Sequence, residues 1–205
     1  MTSGNDLSRL VAIAALVAMA IIPTQSPADT VEQTPSAWTV ESLMAGLHQV
    51  KSASAHFVER KDMAMLTRVL ESTGTLSYVA PDHLQKTTLT PAPETFTLDG
   101  DMLSGVQANG DHYTVSLSDR PEVASLVEGV RSTLAGDLAT LRQYYWIEFK
   151  GKRDDWELDL IPKNGRVRDK LDAIRIKGAE LALKTIDLDE RDGDHSRMTI
   201  IADRP

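Results

Sequence analysis

Residues 121–145 read PEVASLVEGVRSTLAGDLATLRQYY, the one long helical pattern in a chain that otherwise reads as short strands and turns. Val123, Leu126, Val127, Val130, Leu134, Leu138, Leu141 and Tyr145 recur at steps of three and four, which draws one apolar stripe along a helix. Glu122, Glu128, Arg131 and Arg142 fall off that stripe. Pro121 suits a first helical position, and Gly136-Asp137 allows a break into two shorter helices with Asp137 in the capping place of the second. Such a stripe serves either a core helix packed on a sheet or a lid over a cavity.

Upstream of it the apolar period is two. His83 to Thr90 precedes Pro91-Ala92-Pro93, Phe96 and Leu98 lead to Asp99-Gly100, and Leu103 to Gln107 runs into Asn109-Gly110 before Tyr113, Val115 and Leu117. Nearer the N-terminus, Phe57-Val58, the run Met65 to Leu70, and Leu76 with Tyr78 read as further strand pieces, and Gly74 signals a bulge or a close backbone approach. Downstream, Tyr145, Ile147 and Phe149 share one face, and Trp156, Leu158 and Leu160 share another with Glu157 and Asp159 opposite. Asn164-Gly165 marks a loop. Ile174 and Ile176 follow, then a switch from odd to even apolar positions after Leu183 that implies a bulge, then Met198 to Ile201 after Asp192-Gly193. About eleven strands result, roughly six before the helical stretch and five after it, all joined by short turns. They predict a mainly β fold, one curved antiparallel sheet whose apolar face is covered by helices. Trp38 to Val50 supplies a second amphipathic helix, with Ser36 or Thr39 as its cap.

Leu10 to Ile22 is an unbroken apolar run behind Arg9, shorter than the ~20 residues of a membrane-spanning helix. With Ser26-Pro27-Ala28 after it, residues 1–28 read as a signal peptide, 29–37 as a linker and 38–205 as one domain outside the cytoplasm. A net charge of -8, with 41% apolar and 25% charged residues, describes an ordinary globular chain and excludes nucleic acid as a partner. None of the residues is a cysteine, which rules out disulfides, thiolate metal sites, a cysteine nucleophile and a cysteine-linked lipid.

Motifs of catalysis are missing. The chain has no G-x-S-x-G elbow, no H-E-x-x-H pair, no phosphate-binding loop and no dinucleotide fingerprint, and its five histidines are dispersed. Asp187 to His195 approaches a calcium loop in composition, but Arg191 stands at the fifth position and the glycine comes one place late, so it reads as a solvated turn. No metal, cofactor or catalytic residue is expected.

Three segments together resemble a known family: Leu47-His48-Gln49-Val50-Lys51-Ser52-Ala53-Ser54-Ala55-His56-Phe57, Gly74-Thr75-Leu76-Ser77-Tyr78-Val79-Ala80-Pro81-Asp82-His83-Leu84, and Leu98-Asp99-Gly100. With Leu134 to Leu138, Tyr144-Tyr145, Trp156 to Pro162 and Ile174 to Gly178, the order of features is similar to the LolA-type periplasmic lipoprotein carriers, in particular their divergent LolA-like branch. The resemblance implies an open antiparallel half-barrel with a helical lid, acting as a monomeric, non-enzymatic periplasmic carrier. Its cargo would be a lipoprotein, a glycolipid or another lipid, taken from an inner-membrane transporter and given to an outer-membrane acceptor. Exposing an acyl chain of about sixteen carbons to water costs on the order of 12 kcal/mol, so such a carrier must hide it. Candidate cavity residues are Leu84, Leu89, Phe96, Leu98, Leu103 and Val115 before the helical stretch, and Tyr145, Ile147, Phe149, Trp156, Leu158 and Ile176 after it. Leu126, Val130, Leu134, Gly136, Leu138 and Leu141 are the lid candidates, with Gly129 and Gly136 the places where it would bend. Which strand parity faces inward stays open. One departure stands out: carriers of this family place an arginine that bonds to the lid directly before the proline of the Gly-x-Leu strand, and here that place is Ala80. The same scaffold in sigma-factor regulators makes a lipid- or peptide-sensing module the alternative.

Overall fold

A computed structural model describes residues 38–64 and 68–202, so the predicted signal peptide and linker, and the first half of the Met65 to Leu70 run, lie outside the described residues. The chain opens with helix α1 (Val40–Leu47), whose Thr39 accepts from Ser42 N while the Ser42 hydroxyl accepts from Thr39 N. This reciprocal cap settles the choice left between Ser36 and Thr39. Leu43, Met44 and Leu47 form its buried stripe.

Eleven strands follow in one antiparallel sheet: β1 (Ser52–Asp62), β2 (Leu70–Val79), β3 (His83–Thr90), β4 (Glu94–Asp99), β5 (Met102–Gln107), β6 (His112–Ser116), β7 (Tyr145–Lys152), β8 (Asp155–Pro162), β9 (Leu171–Ala179), β10 (Ala182–Glu190) and β11 (His195–Ala202). Their spatial order is β6-β5-β4-β3-β2-β1-β11-β10-β9-β8-β7. Two meanders thus meet where β1 pairs with β11, and β6 and β7 are free edges, which leaves the barrel open. Six strands precede the long helical stretch and five follow it, as its place in the sequence predicts.

Both predicted irregularities are present. The β2–β3 register shifts between Thr73 and Gly74, where a Cβ would lie 1.9 Å from Thr87 O, and the β9–β10 register shifts between Leu183 and Thr185. Asn164-Gly165 differs from its reading as a loop: the Asn164 side chain accepts from Arg166 N and Val167 N and starts a single helical turn, Gly165–Arg168, with Val167 buried.

Burial alternates along the strands and resolves the parity. Ala53, Ala55 and Phe57 on β1, Leu76 and Tyr78 on β2, Leu84 on β3, Phe96 and Leu98 on β4 and Leu103 on β5 face inward. On the other side Trp156, Leu158, Leu160, Ile174, Ile176, Ile186, Leu188, Met198 and Ile200 continue the same face. All belong to one apolar cluster with the buried stripes of the helices. No helix among the described residues is long and apolar enough to cross a membrane.

Candidate functional site

The helical stretch between the two meanders forms α2 (Pro121–Leu134) and α3 (Leu138–Tyr144). Pro121 begins α2, and Asp137 accepts from the Thr140 hydroxyl at 2.7 Å and from Thr140 N at 2.9 Å to cap α3, bonds that hold the Asp137 carboxyl below its usual range. α2 is buried well beyond its apolar stripe, for Ser125, Glu128, Ser132 and Thr133 are covered along with Val123, Leu126, Val127, Val130 and Leu134. A helix covered on that many sides sits inside the curve of the sheet.

Its attachments to the two halves of the sheet differ. On the β7–β11 side the approach is close: a Cβ on Gly129 would lie 2.9 Å from both Ile174 Cδ1 and the Tyr145 hydroxyl. Tyr145 donates its hydroxyl to Ser125 O at 2.5 Å, and burial keeps that phenol protonated far above its ordinary range. On the β1–β6 side the tie is polar. Arg131 Nη1 donates to Gly100 O at 2.6 Å, in the β4–β5 turn, while its other nitrogens bond to the buried Glu128 carboxylate. Ser132 donates to the same carboxylate at 2.9 Å. Arg131 thus reaches from α2 to the β4–β5 turn, whereas Ala80, beside a cleft that Arg131 also lines, has no side chain that could make such a bond.

Two clefts flank this clasp. One of about 550 Å³ is lined by Leu117, Pro121, Ser125, Tyr144, Lys163 and Asn164 among others, and a second of about 480 Å³ by Pro81, Asp82, Ser132, Ala135 and Thr140 among others. Asp101, Glu128 and Arg131 line both. Arg131 thus stands as the partition between the two clefts. Asp101 accepts from the Ser116 hydroxyl and from Ser118 N, which lowers its pKa and fixes the turn entering α2.

The elbow between α2 and α3 nests on α1. Gly136 has φ +66, and a Cβ there would lie 2.2 Å from Met44 O and 2.6 Å from His48 N. His48 Nδ1 lies 3.0 Å from Ala135 O, so the imidazole proton on Nδ1 faces that carbonyl. The expected bending points are therefore places of close fit: backbone meets backbone at Gly136, and ring meets helix at Gly129.

Of the cavity candidates, Leu84, Phe96, Leu98, Leu103, Tyr145, Trp156, Leu158 and Ile176 are buried on the inner face, and Val115, Ile147 and Phe149 lie on it half-buried. Leu89 is a correction. It stands 55% exposed on the outer face, because Leu84, Lys86 and Thr88 hold the inner parity of β3. Leu126, Val130, Leu134 and Leu141 are buried and Leu138 is half-buried, so the lid candidates do share the covering surface.

Sequence reading missed a charged pair on the inner face. Glu59 and Lys86 are 7% and 1% exposed and lie 2.7 Å apart, with Ser72 and Ser196 donating to the same carboxylate at 3.3 and 3.0 Å. The Lys86 ammonium also sits 5.0 Å from the Phe57 ring centroid. A signal was present: Ala53-x-Ala55-x-Phe57-x-Glu59 and Leu84-x-Lys86 put opposite charges on one parity of strands two apart in the sheet. The Asp187–His195 turn does gather Glu190, Asp192 and Asp194 within 4.8 Å, yet Lys61 bonds Glu190 at 3.0 Å and lies 3.9 Å from Asp194, so the cluster carries its own cation.

An open antiparallel sheet with a helix laid in its apolar curve defines a half-barrel class, and the chain belongs to the family described as outer membrane lipoprotein carrier protein LolA-like, whose model matches residues 32–203. A search of the curated proteins gave no match. Among solved structures, a LolA superfamily protein from Nitrosomonas europaea is 13% identical, with TM-score 0.44, covering 82% of this chain and 96% of its own. An outer membrane lipoprotein-sorting protein domain from Vibrio parahaemolyticus is 9% identical, with TM-score 0.43, covering 78% and 88%.

Proposed function

We propose that this protein is a periplasmic carrier that shields acyl chains of lipoproteins or other lipids during transport toward the outer membrane, working as a monomer between an inner-membrane transporter and an outer-membrane acceptor. The observation that supports it is the unequal mounting of α2 over an apolar curved face. The helix is packed against β7–β11 and clasped to the β4–β5 rim through the Arg131 guanidinium. Breaking the bond to Gly100 O separates lid from rim while leaving the Tyr145–Ser125 attachment in place. The buried leucines beneath would then face an incoming chain, whose transfer from water is favourable by ~0.8 kcal/mol per methylene. The family membership supports lipoprotein or lipid as the class of cargo.

Lipid analysis of the purified protein by mass spectrometry and uptake of a fluorescent fatty acid test this reading. Co-purifying acyl lipid and saturable uptake are expected, and Arg131→Ala combined with Glu128→Gln, which leaves no buried carboxylate without its cation, should speed uptake severalfold in a protein that still folds. Absence of lipid in repeated preparations together with no uptake would sink it.

A further inference from the structure

On the outer face of β7, Trp146 is 49% exposed, and it stands across the register from Ile161 of β8. The Arg168 guanidinium lies 5.3 Å from its ring centroid. Arg168 comes from the turn begun by Asn164, which Val167 pins to the core so that Lys163, Arg166, Arg168 and Lys170 point into solvent. Lys163, Arg168 and Lys170 have no carboxylate partner among the described residues, and the bond of Arg166 to Glu122 at 3.1 Å is made by a side chain 82% exposed. The rest of this half of the sheet behaves differently: Lys150, Arg175, Lys177 and Arg197 are all matched to carboxylates. An exposed tryptophan beside four cations, of which only Arg166 is ion-paired and Lys163 is held by the Arg142 carbonyl, with Glu148 and Asp169 as the exposed carboxylates nearby, is thus a local exception in a chain of net charge -8. Lys163 and Asn164 also line the larger cleft, so the patch adjoins its mouth.

We propose that Trp146 with Lys163, Arg166, Arg168 and Lys170 docks the protein on an anionic bilayer surface. The indole has the amphipathic character that settles at headgroup depth, and lysines and arginines beside it are drawn to anionic headgroups. Trp146 supplies the apolar contact and the turn supplies the charge, while Glu122 holds only Arg166 back. Docked this way, the larger cleft opens near the acyl chains; that consequence rests on the carrier reading, whereas the docking does not.

Co-sedimentation of the full chain with vesicles tests it, using phosphatidylcholine alone and phosphatidylcholine mixed with phosphatidylglycerol. Binding only to the mixed vesicles is expected, falling with added salt, dropping roughly fivefold for each charge removed in Arg168→Gln and Lys170→Gln, and weakening in Trp146→Ala. Equal binding to both vesicles, or mixed-vesicle binding unchanged in all three variants, overturns it. So does a concentration-dependent dimer that buries Trp146 while vesicles go unbound. Fatty-acid uptake from solution should be unchanged in these variants: normal uptake with no vesicle binding ends the docking proposal alone, and vesicle binding with neither co-purifying lipid nor uptake ends the carrier reading alone.

Discussion

Strands β7–β11 knit their outer face with ion pairs, whereas β2–β5 carry hydroxyls and an amide on theirs, among the exposed Val79, Leu89, Met102 and Val106. In the first region Lys150 bonds Glu157 at 2.7 Å, Lys177 bonds Glu157 at 2.8 Å, Arg175 bonds Asp159 at 2.8 Å, and Arg197 bonds Asp187 at 2.6 Å. In the second, Thr73 and Thr90 share a hydrogen bond of 2.7 Å, and Gln85 reaches Thr97 at 3.4 Å. The inner faces reverse the pattern. Trp156, Leu158, Leu160, Ile174 and Ile176 make the β8–β9 interior apolar, while the β1–β3 interior encloses Glu59 and Lys86. Cross-strand charge pairs lock register on the half that carries α2. The other half, to which α2 is tied by the hydrogen bond from Arg131 to Gly100 O, has its charges buried inside. The difference separates a platform from a rim.

The largest effect should come from breaking the buried pair. Lys86→Met leaves the Glu59 carboxylate in the interior with two hydroxyls, and losing one partner of a buried ion pair costs about 3 to 5 kcal/mol. Urea unfolding should show that loss, and combining the change with Glu59→Leu should recover most of it. A Lys86→Met loss under about 1 kcal/mol would mean that the charges do not hold the β1–β3 half together. Next comes Gly136→Ala. The left-handed backbone costs ~1–2 kcal/mol for an alanine, and the added carbon meets backbone atoms of Met44 and His48 that have nowhere to move without lifting α1. A destabilisation of about 2 kcal/mol or more by thermal or urea unfolding is expected. This replaces the expectation, drawn from the helical pattern alone, that Gly136 serves motion more than folding; unchanged stability would restore that view.

Strand number and the division of the long helical stretch were legible because hairpin dipeptides and a Pro–Gly-Asp punctuation act locally. Gly100 and Gly110 adopt the positive φ that their turns require, and Asp137 caps where it stands. Leu89 was misread because Thr87-Thr88-Leu89-Thr90 carries no alternation of its own, and parity passes down β3 from Leu84. The Arg131 clasp was hidden for a different reason. Arg131 lies off the apolar stripe, where periodicity assigns a residue to solvent, and only the fold brings the Gly100 carbonyl, 31 residues away, within its reach.

The smallest effect belongs to the outer charge ladder, and it gives the comparison a pH dependence. Burial pushes the Glu157 carboxyl up, but hydrogen bonds and charge from Lys150 and Lys177 outweigh it and bring the group from 4.5 down to about 2. A carboxylate whose pKa is lower in the folded than in the unfolded chain adds stability in full above about pH 4.5, and that contribution is lost as the pH falls toward about 2. A shift of that size is nominally ~3 kcal/mol, but Lys150 and Lys177 are 67% and 44% exposed, so screening reduces the expected contribution to about 1 kcal/mol. Glu157→Gln should therefore unfold more easily than the unmodified chain at pH 6 by about that amount and lose less on acidification. The gap should narrow in high salt, because the cations that create it face water. Unfolding free energies measured from pH 6 to pH 2.5 decide it. Parallel curves for the two proteins would mean that the ladder only decorates the platform, and that β7–β11 hold their register through the apolar face alone.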